Sequence, residues 1–145
     1  MTTSNKPTTG FWVIAVIALL WNLWGVFAYL GQTVLLTDEV KALMPAEQVA
    51  LIESTPSWLN IVFAVATVGG ALASLLLLMR RKLAVPLFAL SLIAVIIQMG
   101  YSWFATDAAE IYGAVQGYVL PTIVILFGLF LYMYSKKCAG KGWLR

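Results

Sequence analysis

The side chains able to do acid, base, nucleophilic or metal chemistry are few. Six carboxylates (Asp38, Glu39, Glu47, Glu53, Asp107 and Glu110), nine cationic residues and one thiol, Cys138, make up the acid, base and thiol set, and there is no histidine. Without imidazole, histidine-ligated haem, most zinc and copper sites and imidazole acid–base catalysis are excluded. A lone cysteine forms neither an internal disulfide nor a Cys-x-x-Cys pair, which excludes a quinone-linked thiol oxidase. Cys138 reads as a free thiol beside basic residues, with palmitoylation as the alternative. No Asp or Glu falls inside an apolar stretch, so proton exchange through a membrane-embedded carboxylate, as small multidrug-resistance transporters need, is not available. Catalysis would have to rest on acids in solvated loops. No catalytic residue, cofactor or metal ion is therefore expected, and the chain reads as a non-enzyme.

What remains is uncharged polar chemistry inside apolar sequence. Tyr29, Gln32, Asn60, Gln98, Tyr101, Gln116 and Tyr118 all interrupt hydrophobic runs, and the run Trp21-Asn22-Leu23-Trp24-Gly25 lies in the middle of one. An amide in hydrocarbon needs a partner. These groups either bond one another across helices as a clasp, or line a water-accessible cavity for a small neutral or amphipathic ligand. Trp usually favours the headgroup belt, so mid-segment Trp21 and Trp24, with Asn22, are expected to face protein or the cavity. Trp12, Trp58, Trp103 and Trp143 read as ordinary interface residues.

The elements that must hold these groups follow from composition. Of 145 residues 62% are hydrophobic and 10% charged, and the mean hydropathy is +0.93, well beyond an ordinary soluble domain. Four apolar stretches, about 11–36, 57–79, 83–104 and 112–134, each exceed the ~20 helical residues that span ~30 Å of hydrocarbon. The expected fold is all-α: a single membrane domain, 1–145, built as an antiparallel four-helix transmembrane bundle. Connections this short hold no soluble catalytic or nucleotide-binding unit.

Charge sets an expected orientation. All basic residues but Lys41 precede segment one, lie between segments two and three (Arg80, Arg81, Lys82) or follow segment four, whereas every acid lies in the other two loops. Short basic loops stay cytoplasmic, so both termini are expected there. The net charge of +3 then describes membrane orientation rather than a nucleic-acid footprint. Segment one has no convincing cleavage site and should stay attached. At ~39 Å it should tilt, bend near Gly31 or project beyond the membrane.

The outer loop 37–56 is expected to act as a lid, with a short helix from Pro45 to about Ser54. On that topology the amides fall in the outer third of the bundle, while the cytoplasmic half is nearly devoid of hydrogen-bonding side chains and forms an apolar plug. Gly69-Gly70 with Ala73 and Ser74, and Gly113 with Gly117, give small-residue grooves for helix packing within the bundle or between subunits. Pro121 opposes the carbonyl of Gly117 and should kink segment four.

Four features taken together carry a likeness: Trp21-Asn22-Leu23-Trp24-Gly25, Pro56-Ser57-Trp58, the Gly69-Gly70 stretch running to Leu75-Leu76-Leu77-Leu78-Met79-Arg80-Arg81-Lys82, and Gly142-Trp143-Leu144-Arg145. Over nearly its whole length the chain resembles a family of small four-helix bacterial membrane proteins often labelled sugar transporters. The resemblance is architectural and transfers no functional residue; it implies a bacterial inner membrane and a sugar-like solute. Two functional expectations stand. One is a protein that binds, and in the stronger form transports, a small neutral or amphipathic molecule, sugar-like or lipid-like, in an outward cavity. The other is an accessory or assembly subunit with no ligand, docking to copies of itself or to other membrane proteins.

Overall fold

The computed structural model describes residues 6–106, 108–113 and 115–144, of which Ala108, Ala109 and Gln116 are described by backbone alone. Its elements are α1 (Thr9–Gln32), α2 (Asp38–Ala42), α3 (Ala46–Glu53), α4 (Ser57–Leu78), α5 (Ala84–Ala105), α6 (Ala108–Tyr112), a π-helical turn (Val115–Val119) and α7 (Leu120–Gly140). Four helices, α1, α4, α5 and the stretch Gly117–Gly140, are long and apolar enough to cross a membrane. The fold is an all-helical transmembrane bundle, as composition required.

Each end of each helix has a local cause. The Thr8 hydroxyl accepts the Phe11 N–H at 3.3 Å and starts α1. The same helix ends at Gln32, four residues short of the expected limit and without a break at Gly31; the carbonyl of Leu30 takes the N–H groups of Thr33 and Leu35. At the other end of the bundle, α4 closes with the N–H of Arg81 on the Leu76 carbonyl (2.8 Å) and that of Arg80 on Leu77 (2.9 Å). This is a Schellman cap whose left-handed position is occupied by Arg80, φ 58°. Helix α7 ends in the same way, with Gly142 at φ 79° and Trp143 N–H on Cys138 carbonyl at 3.1 Å. It therefore runs past the expected limit near Tyr134, to Gly140.

Burial is concentrated at the basic end. Phe11, Ala15 and Ala18 of α1 recur on one face and meet Ala73 and Leu77 of α4, Ala84 and Phe88 of α5, and Leu131 and Cys138 of α7, with Leu144 tucked beneath. The alanines let helix backbones approach, which is how membrane helices gain packing contacts without a hydrophobic drive between them. The tail is part of this base. Trp143 stands edge-on to Phe11 at 5.9 Å, and the Arg80 guanidinium donates from Nε to its carbonyl at 2.8 Å. Trp143 is thus more than an interface anchor, and Cys138, read from sequence as a free juxtamembrane thiol, is free but buried.

At the acidic end the bundle loosens and is roofed by short helices. In addition to the expected helix after Pro45 there is α2, started by the Thr37 hydroxyl, which accepts the Val40 N–H at 3.3 Å. Lys41 of α2 reaches Glu53 of α3 at 3.1 Å. Around the bundle, α1 packs on α4, α4 on α5 and α5 on α7.

Candidate functional site

The site is built on contacts at mid-depth. The Asn22 amide donates to its own helix at the Ala18 carbonyl (2.8 Å) and across to the Ser74 hydroxyl of α4 (3.1 Å). Ser74 in turn donates to the Gly70 carbonyl at 2.8 Å, and Ser91 of α5 donates to the Ala66 carbonyl at 2.5 Å. These two serines, a small part of the sequence pattern, carry the links from α4 to its neighbours. Gly70 makes this possible, since a Cβ there would overlap the Asn22 amide. Gly25 is pressed less severely, a Cβ there lying 3.2 Å from the Thr67 methyl.

Towards the acidic end the helices part and leave two adjoining chambers. The inner one, about 470 Å³, takes its walls from all four long helices: Trp21, Asn22, Trp24, Gly25 and Ala28 on α1, Thr67 on α4, Ser91 and Val95 on α5, and Leu120, Val124 and Gly128 on α7. Phe88 and Leu131, members of the buried base, form its floor. The outer chamber, about 210 Å³, lies beneath Leu51, Ile52 and Thr55 of the lid and is lined by Asn60, Tyr101, Ser102 and Tyr112. Gln32, Phe63, Gln98, Met99 and Pro121 border both chambers. No charged side chain is among the described residues lining either chamber. Burial holds the Tyr112 phenol above its ordinary pKa, so it remains a neutral hydroxyl at any physiological pH.

Of the residues singled out from sequence, Trp21, Asn22, Trp24, Gln32, Asn60, Gln98 and Tyr101 come together around these chambers. Tyr29 stands behind the wall, edge-on to Phe63 at 5.3 Å. Tyr118 lies outside both, 53% exposed and tilted against Trp103 at 6.3 Å. The side chain of Gln116 lies outside the described residues. Trp24 departs from expectation in another way. It borders the inner chamber yet is 76% exposed, against 37% for Trp21, so it stands at the chamber's rim rather than against protein.

The clasp reading and the cavity reading predict different hydrogen bonds. In the first, the amides of Gln32, Asn60 and Gln98 would pair with one another. None of the three makes a side-chain hydrogen bond to another described residue, and among the described residues no fully buried side-chain polar atom is left without a partner. The amides open into the chambers, and the cross-helix bonding falls to Asn22, Ser74, Ser91 and Trp103.

Trp103, read as an interface residue, does specific work on α7. A proline at 121 has no N–H to give the carbonyl four residues earlier, that of Gly117. The Trp103 indole donates to that carbonyl at 2.7 Å. Upstream the chain forms the π-helical turn, and Gly113, φ 91°, has already broken the helix. Gly113 and Gly117 therefore do not form one continuous helical groove, and the disturbance expected of Pro121 appears as a changed helix type beside the outer chamber. Sequence pattern did not single out Phe63 or Met99, and it read Trp103 only as an interface residue; the pairing of a proline with a carbonyl four residues before it was the one available signal for its role here. No family model, curated protein or solved structure matches the chain.

Proposed function

We propose that this chain is a non-enzymatic protein of a bacterial inner membrane, with both termini cytoplasmic, that binds a small neutral or amphipathic molecule in the cavity opening toward its acidic, outer end. The observation that carries this reading is the set of amides from three helices, Gln32, Asn60 and Gln98, turned into adjoining chambers without hydrogen-bond partners among the described residues. A cavity with hydroxyls, amides and aromatic faces and no charged lining side chain suits an uncharged ligand. The bacterial location follows the sequence resemblance, and the orientation follows the basic loops.

Passage across the membrane would require more than the bundle as it stands, because Phe88, Leu131 and the alanine-rich base close the path below. A rearrangement of α7 about Pro121 or association of copies would have to open it. The rival role is an accessory subunit docking through its glycines; Gly25, Gly69, Gly70 and Gly128 face atoms of neighbouring helices in the same bundle, which favours the binding reading, while a Cβ at Gly113 would meet nothing within 4 Å. The test is thermal unfolding in lipid nanodiscs against neutral polyols, sugars and neutral amphiphiles. At least one should raise the melting temperature, and Gln98→Leu should abolish that rise while still unfolding cooperatively. Failure of every compound on the wild type would refute binding.

A further inference from the structure

The ring of long helices has one incomplete side. Backbone packing joins α1 to α4, α4 to α5 and α5 to α7, whereas α1 and α7 meet mainly through rings. Trp21 stands edge-on to Phe127 at 5.2 Å, and lower down Phe11 lies against Tyr134 at 6.5 Å. These contacts shut the seam in its basic half. Above them it is open: Trp24 on α1 and Leu120 on α7 both line the inner chamber and are both exposed, Leu120 by 44%. A chamber wall that is also outer surface is an opening to what surrounds the bundle. Trp24 lies about 12 Å below the end of α1 at 1.5 Å per residue, so that surrounding is hydrocarbon.

The chambers behind the opening differ in chemistry. The inner one is mostly aliphatic and aromatic, and the outer one gathers Asn60, Tyr101, Ser102 and Tyr112, with Gln32 and Gln98 at the junction. A wholly polar solute would leave the inner chamber unmatched, and a hydrocarbon would leave the amides unmatched. An anionic or cationic head would be desolvated without a counter-charge among the described lining residues. About 470 Å³ lies within the range of pockets that hold one small molecule, room for one chain rather than the several of a bulk lipid.

Resting on the binding role proposed above, we infer that the ligand is a single-chain amphiphile with an uncharged head, taken from the bilayer through the α1–α7 seam. Its chain occupies the inner chamber between Trp24 and Val124, and its head hydrogen-bonds the amides of Gln32, Gln98 and Asn60. Trp21 and Phe127 mark the lower limit of the opening.

Nanodiscs are the medium for the test, because a maltoside detergent has the proposed ligand's own chemistry. The probes are 1-monooleoylglycerol, oleoyl lysophosphatidylglycerol with the same chain and a charged head, and glycerol as the head alone. Monooleoylglycerol should raise the melting temperature and be retained as one copy per chain in native mass spectrometry. The charged lipid should bind at least about tenfold more weakly, ~1.4 kcal/mol, and glycerol at the same concentration should have no effect. Ala28→Trp, which fills the chamber from α1, should abolish retention while unfolding cooperatively; Val124→Trp does the same from α7 should the first variant not fold. Equal protection by glycerol would overturn the amphiphile and leave the small-ligand role standing. Equal protection by the charged lipid would overturn the uncharged head, and undiminished retention in both filled variants would overturn occupancy of the inner chamber and, with it, entry through the seam. Protection by none of the three, while a sugar or other polyol still protects, would sink this inference alone.

Discussion

Gly70 is the position where one added carbon should be felt most. Its Cβ would fall on the Asn22 amide, forcing that side chain off Ala18 and Ser74. Such bonds are worth ~0.6 to 2 kcal/mol in membranes, and overpacking adds ~1 to 3 kcal/mol. Gly70→Ala should therefore lower the melting temperature clearly, but much less in an Asn22→Ala background, where the colliding atoms are gone. A double-mutant cycle with no coupling would place Asn22 elsewhere. Gly25→Leu should also destabilise, by ~1 to 3 kcal/mol, through Thr67. Its control is Gly31→Leu, because a Cβ at Gly31 meets nothing within 4 Å, whereas Gly128 abuts Leu92 at 3.2 Å and lines the chamber. Trp103→Phe keeps a ring but removes the donor from the carbonyl that Pro121 leaves open. The expected loss is ~1 to 3 kcal/mol, and in Pro121→Ala the same change should cost less, since the backbone N–H can take over.

Among the elements, the caps at the basic end were the least visible in sequence. A Schellman cap usually carries Gly at its left-handed position, and α7 obeys with Gly142; α4 has Arg80 there instead. The guanidinium bond to the Trp143 carbonyl joins the two caps, a link between residues far apart in the chain that no local pattern announces. Gly142→Ala should cost ~1 to 2 kcal/mol through the left-handed backbone alone, read as a lower melting temperature with cooperativity retained. At the acidic end, α2 did have a local signal, Thr37 followed by Asp38 and Glu39 in the first turn. The Lys41–Glu53 pair that ties it to α3 is solvent-accessible, so Lys41→Ala should change stability by less than ~1 kcal/mol.

For the whole molecule the basic and acidic ends are separated by a bundle that is packed at one and hollow at the other. Orientation is testable by labelling, but not with the native thiol, because Cys138 is buried in the base and would stay silent on either side. In a Cys138→Ser background, Glu47→Cys in the exposed first turn of α3 should react with an impermeant maleimide in intact cells. Lys82→Cys, exposed at the basic turn, should react only after permeabilisation. Labelling of Lys82→Cys alone in intact cells would invert the orientation.

Sequence by itself determined the number of membrane-crossing helices, because the length and apolarity needed to cross hydrocarbon are properties of each segment alone. It also determined that amides from several segments would share one depth, since position along a helix is a matter of counting residues. Depth does not fix direction around the helix axis. Whether Gln32, Asn60 and Gln98 clasp one another or face an open chamber, and whether Trp24 lies against protein or at an outer rim, depends on how the helices rotate and how closely they approach. Those rotations are set by contacts between residues distant in the chain: Asn22 on Gly70 and Ser74, Gly25 on Thr67, Ser91 on Ala66. The same contacts pull α1 onto α4 and α4 onto α5, leaving α1 and α7 to meet through their rings, and only tertiary structure could decide on which side the bundle stayed open.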